Sequence, residues 1–117
     1  MISFPVSWPH KALSPNSRVH WGVKARATAG DRFAAKVNAR VAGAHKLKLD
    51  RPAVHLVFRP PVRRNRDDDN MVASCKATLD GIADALGIDD SRFILTFEWG
   101  EPARGGRIDV TISEAEA

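Results

Sequence analysis

Three adjacent carboxylates, Asp67, Asp68 and Asp69, are the side chains of this sequence whose type and spacing most directly offer chemistry. Neighbouring carboxylates repel one another unless a cation or a helix N-terminus takes up the charge. In extended chain, residues two apart point the same way, so Asp67 and Asp69 can converge on one ion. Magnesium and manganese favour such hard oxygen ligands and complete their shells with water and phosphate. The spacing is not that of a calcium-binding helix-loop-helix, which requires a glycine and a closing glutamate at fixed loop positions. The competing account is a solvated cap cluster at a helix start, which explains one aspartate comfortably and three poorly.

Further charged residues flank the triplet. Arg63, Arg64 and Arg66 stand immediately before it. Guanidinium groups bind phosphate through paired hydrogen bonds, so these arginines suit a phosphodiester ligand; equally, they could simply neutralise the aspartates. Lys76 follows Asp69 by seven residues, two helical turns along and on nearly the same face, with Asp80 four residues further on. It is either one half of an ordinary surface pair or a cation aimed at a phosphate or leaving oxygen. Asp89 and Asp90 read as a polar turn that could add carboxylates to a metal site.

The elements that must position these residues follow from periodicity. Residues 2–6 read as a first strand, and residues 7–27, with Pro9, Pro15, Asn16 and Gly22, as a long loop. Asp31 is the expected N-cap of a helix running to about Ala44, with Phe33, Val37 and Val41 as its buried stripe and Arg32, Lys36 and Arg40 as a basic stripe beside it. That basic stripe is either a wet face or a track for a polyanion. Residues 53–59 form a strand with Val54, Leu56 and Phe58 on one face, ended by Pro60 and Pro61. A second helix runs from Asp69 or Asn70 to Leu86, buries Val72, Cys75, Leu79, Ile82 and Leu86, and stops at Gly87. Strands at 92–99 and 107–113 complete a β-α-β-α-β-β order, which predicts one α+β domain over residues 1–117 with a mixed or antiparallel sheet and two helices. Helix 2 would be ~25 Å long. Asp69 and Asp90 would then lie at opposite ends, unless the turn after the helix folds far back.

Charge is divided sharply. Residues 1–66 hold 14 Lys and Arg against Asp31 and Asp50, whereas residues 67–117 hold 4 against 12 Asp and Glu. A basic half points to a polyanion partner, with chance segregation on a wet surface as the alternative. The single cysteine, Cys75, excludes a disulfide framework within the chain. Neither a signal-peptide pattern nor an apolar run long enough to span a bilayer is present, so a cytoplasmic protein without a membrane partner is expected.

Taken in order, these motifs resemble the RusA family of Holliday junction resolvases, in the spacing of its phage or prophage members. The resemblance rests on Leu13-Ser14-Pro15-Asn16-Ser17-Arg18, on Arg66-Asp67-Asp68-Asp69-Asn70, on Lys76 with Asp80, on Gly87-Ile88-Asp89-Asp90, and on a last strand opened by Gly105-Gly106-Arg107. It covers most of the chain. It implies a RusA-like fold, a homodimer, and a magnesium-dependent (or manganese-dependent) endonuclease that cuts four-way DNA junctions in recombination and repair. Asp67, Asp69 and Asp90 become the metal-binding carboxylates, Asp68 and Asp89 further possible ligands, and Lys76 the catalytic lysine; unless the turn before Asp90 folds far back, an isologous dimer with antiparallel second helices would bring Asp67 and Asp69 of one copy to Asp90 of the other. One departure stands out: the family's founding pattern places its lysine where this chain has Ala73. Arg63, Arg64, Arg66, Arg32, Lys36 and Arg40 would hold backbone phosphates, contacts that carry no sequence information. Two other functions are compatible with the same residues: a non-catalytic phage DNA-binding or regulatory protein that keeps the fold, and a metal nuclease acting on flaps or single strands. His20 and Trp21 could meet bases, although local packing explains them as well.

Overall fold

In the computed structural model, which describes residues 1–63 and 66–116, alternating apolar residues build four strands: β1 (Ile2–Ser7), β2 (Pro52–Arg59), β3 (Ile94–Trp99) and β4 (Arg107–Glu114). The helices are α1 (Trp21–Val41), α2 (Asp68–Ser74) and α3 (Lys76–Leu86). The sheet order is β1-β4-β2-β3. β4 runs antiparallel to both β1 and β2, while β2 and β3 are parallel, joined through α2 and α3. The result is an α+β domain on a four-stranded mixed sheet, with three helices rather than two.

Period-two alternation holds in β2 and β4, whereas edge strand β3 buries none of its residues fully. Val54, Leu56 and Phe58 of β2 and Ile108, Val110 and Ile112 of β4 are fully buried. They join Ala35, Ala39, Cys75 and Ile82 of the helices in one core. Residues of the opposite phase make polar pairs across the strands: Ser3 with Thr111, His55 with Thr96, and Arg59 with Asp109. The sheet thus keeps one dry and one wet face.

The first helical segment departs from expectation. The stretch 7–27 is not one long loop: a short turn forms at Lys11–Leu13, and α1 already begins at Trp21. Its cap is His20, whose Nδ1 accepts the backbone N–H of Gly22 at 3.0 Å. Asp31 caps nothing. It lies within α1, where its Oδ2 accepts the His10 backbone N–H at 3.1 Å and ties the N-terminal loop to the helix. Phe33, Val37 and Val41, expected inside, are 68%, 39% and 83% exposed. The buried stripe is instead Ala27, Ala35 and Ala39.

The cause is the neighbour on α3. A Cβ added at Gly81 would stand 2.2 Å from the Arg32 carbonyl oxygen and 2.9 Å from the Ala35 Cβ. At so close an approach only small side chains fit between the helices, so α1 turns its alanines inward. The four-residue period was legible; its phase was set by size rather than hydrophobicity.

The second segment is not one continuous helix. α2 ends and α3 begins at Cys75, which leaves helical geometry at φ −91°, ψ 2°. Cys75, Leu79, Ile82 and Leu86 are buried as expected, Val72 only partly. Burial pushes the Cys75 thiol up to about 12. Gly87, at φ 70°, closes α3 in the left-handed conformation that favours glycine. Among the described residues, no helix is long and apolar enough to cross a membrane.

Gly81→Ala should lower unfolding free energy by ~1–3 kcal/mol in urea titrations, because the helices must separate. Val41→Asp should change it by less than about 0.5 kcal/mol. The reverse ranking would refute this helix packing.

Candidate functional site

Parallel pairing sets the carboxyl ends of β2 and β3 side by side, a place where α/β folds commonly bind ligands. The chain leaving β2 passes from there to the start of α2 and carries the motif residues. Asp67 caps α2: its Oδ1 accepts the Asn70 backbone N–H at 3.0 Å. Asp68 Oδ1 accepts the Trp99 indole N–H at 2.7 Å, which fastens the first turn of α2 to the end of β3. Asp69 is exposed and makes no hydrogen bond or ion pair among the described residues. The Arg66 guanidinium lies 5.4 Å from the centroid of the Trp8 ring. Arg63 pairs with Glu101 on the exposed surface. Arg64 lies outside the described residues.

Two clefts adjoin this segment, and Arg66 lines both. The larger, about 440 Å³, runs between the N-terminal loop and α2 and includes Trp8, His10, Lys11, Asp67 and Asn70. The smaller, about 260 Å³, includes Arg63, Asp68, Trp99 and Gly100. Asp67 and Asp68, neighbours in sequence, therefore serve different clefts.

A second charged group lies along α3. Lys76 Nζ donates to Asp90 Oδ2 at 2.5 Å and sits 3.0 Å from Asp80 Oδ1. The chain after α3 thus folds back, and Asp90 reaches the helix's first residue rather than lying far beyond its last. Those hydrogen bonds, the one to Asp90 foremost, hold the Lys76 ammonium above the ordinary lysine range. Asp89 caps the turn Asp90–Arg92, accepting the Ser91 backbone N–H at 2.8 Å, and that bond draws its carboxyl below the usual aspartate range. Arg32 makes a two-pronged pair with Asp84, at 2.7 and 2.9 Å, and that hydrogen bonding likewise depresses Asp84. Arg32 is therefore committed within the fold. Of the basic stripe, Lys36 is half-buried, with its charge acting on Asp84, and Arg40 is exposed.

The expected metal set is not assembled in one chain. Among the described residues, no three His, Cys, Asp or Glu side chains converge as an ion would require. Asp67 and Asp69 stay at the start of α2, and Asp90 is held by Lys76.

A protein of Xylella fastidiosa is 50% identical to this chain over 97 residues. It is an uncharacterized protein. The match takes in 80% of this chain and 63% of the relative, so the chain spans less than two thirds of the Xylella protein's length. No family model matches the chain.

Several cleft residues carry no signal of a site in the sequence: Trp8, His10 and Lys11 lie in a proline-bearing stretch with the pattern of a loop, and Trp99 has the pattern of an apolar strand residue. Asn70 was visible, since it closes the acidic motif. His20 and Trp21 work locally: His20 caps α1, and the two rings lie 5.4 Å apart.

The Arg32–Asp84 pair sets a pH dependence. Because the folded-state value of Asp84 is depressed, its contribution is present above the ordinary aspartate range, near pH 4, and is lost as pH falls through the lowered value. Asp84→Asn should therefore show a shallower fall in melting temperature below about pH 4 than the parent chain. Identical slopes would show that the pair contributes nothing in solution.

Proposed function

We propose that this chain is a RusA-type DNA endonuclease that acts as a homodimer on branched DNA such as four-way junctions, in the cytoplasm. The observation that carries the reading is that Arg66 lines two clefts, one with Asp67 and the other with Asp68, next to the exposed Asp69 in sequence. Acids able to hold a hard cation and bases able to hold phosphate stand next to each other, which is the combination phosphodiester cleavage needs. The order of motifs along the chain supports the same reading.

Magnesium or manganese belongs to it through Asp67, Asp69 and Asp90. In one chain Asp90 is held by Lys76, and the reading takes the third carboxylate from a second copy across a two-fold axis. Asp68 and Asp89 are weaker ligand candidates, one being bound to Trp99 and the other to a turn amide. Arg63, Arg66, Lys36 and Arg40 would meet backbone phosphates, giving binding that weakens steeply with salt. Arg32 would stiffen α1 against α3.

A second reading has its own support. Lys76 is clamped between Asp80 and Asp90, and Ala73 occupies the position of the founding family lysine. A non-catalytic DNA-binding protein on the same fold would look like this.

Incubation with a synthetic four-way junction, with and without magnesium, separates the two. Metal-dependent paired cuts are expected, and Asp69→Asn should abolish them while leaving junction binding largely intact. Tight binding with no cutting under any divalent ion would favour the second reading. Preferential cutting of flaps or single strands would move the substrate class. Neither binding nor cutting would end the proposal.

A further inference from the structure

The two clefts beside Arg66 differ in how their polar groups are used. In the smaller one, Asp68 is bound to Trp99 and Arg63 to Glu101. In the larger one, three groups have no partner among the described residues. Lys11 is exposed and makes no ion pair. His10 uses Nδ1 to accept the Ala12 backbone N–H, which leaves Nε2 unengaged. The Asn70 side-chain amide, half-buried, makes no hydrogen bond, although its backbone N–H and carbonyl are both taken, by Asp67 and Ser74.

The wall behind these groups is apolar and fixed. Trp8 is backed by Gly106, where an added Cβ would lie 2.9 Å from the indole. The Arg66 guanidinium stands over the same ring, adding positive charge at a set position. Met71 is buried alongside. The volume, about 440 Å³, lies within the range of small-molecule sites.

An indole wall, two cations beside the single carboxylate of Asp67, and an unpaired amide together fit one class of ligand: a planar heterocycle carrying a phosphate. We propose that this cleft binds a single nucleotide unit, with the phosphate toward Lys11 and Arg66, the base against Trp8 and Met71, and the base edge on the Asn70 amide. A bare anion would use the cations and leave Asn70 and the apolar wall idle. An apolar ligand would strand Lys11 and Asn70. The proposal goes beyond the nuclease reading and does not need it, since binding here involves no cleavage.

The test is a titration of the isotopically labelled 117-residue chain followed by NMR, reading the Trp8 indole N–H (assigned with Trp8→Phe) and the Asn70 side-chain amide. The probes are 5′-deoxynucleoside monophosphates, deoxynucleosides and inorganic phosphate. Monophosphates should shift both signals saturably, with the Trp21 indole unmoved. Lys11→Ala, at an exposed site that leaves the fold intact, should weaken monophosphate binding about tenfold. Asn70→Ala should weaken the monophosphates and leave inorganic phosphate unchanged. The proposal is overturned if phosphate alone binds as well as the monophosphates, if Trp8 and Asn70 do not respond, or if Lys11→Ala binds unchanged. A chain that binds nucleotides and cuts no DNA would keep this site and lose the nuclease reading; one that cuts junctions with Trp8 silent would do the opposite.

Discussion

The approach of α1 to α3 at Gly81 fixes more of this molecule than any other contact. With no room for a Cβ between Gly81 and the Arg32 carbonyl, the helix faces that meet must be nearly smooth. That requirement selects Ala35, with Ala39 one turn on, for the inside and turns the larger Phe33, Val37 and Val41 outward. It also carries Arg32 to Asp84, so a charged pair seals the rim of the contact. The effect reaches the clefts through one further bond. Asp31, on the same helix, holds the backbone of His10, and the loop from Trp8 to Ser14 is thereby set against α2.

Electrostatics then sorts the acids. Asp67 and Asp68 are spent partly on structure, one on a helix cap and one on an indole N–H. Asp69 is left open to solvent. Asp80, Asp84 and Asp90 are matched by Lys76 and Arg32 along α3. The sharp division of charge along the sequence is paired in space in part: three cations from the basic half, Arg32, Arg59 and Arg63, meet acids from the acidic half. Linear segregation had pointed to a polyanion surface, and part of it reflects pairing between distant segments instead.

Strands were legible because a half-buried strand writes its face directly as alternation. β2 and β4 came out with the right inward residues, and Gly87 marked its helix end. The helices were harder for physical reasons. A stripe of alanines carries little hydrophobic signal beside Phe33 and Val41, so the eye follows the larger residues. His20 is an unusual cap, so the start of α1 passed for loop, and nothing local announces the break at Cys75. In the site, the acidic and basic motif residues were visible from their types. What joined Trp8, His10 and Lys11 to them was tertiary: strand β1 delivers that loop to α2 only once the sheet has formed.

The strand order carries a consequence for how the chain is made. β4, the last strand in sequence, lies in the interior of the sheet, between β1 and β2. On a ribosome, the first strand to emerge must wait for the last before it has any partner at all. Until then its apolar side chains, Phe4 and Val6, have no strand beside them, and pairing Ile2 with Ile112 spans nearly the whole chain. Such non-local closure is slow relative to helix formation. The sheet therefore stays unfinished until residues 107–114 have been made, and a message cut short before Arg107 yields a product that lacks the strand between β1 and β2.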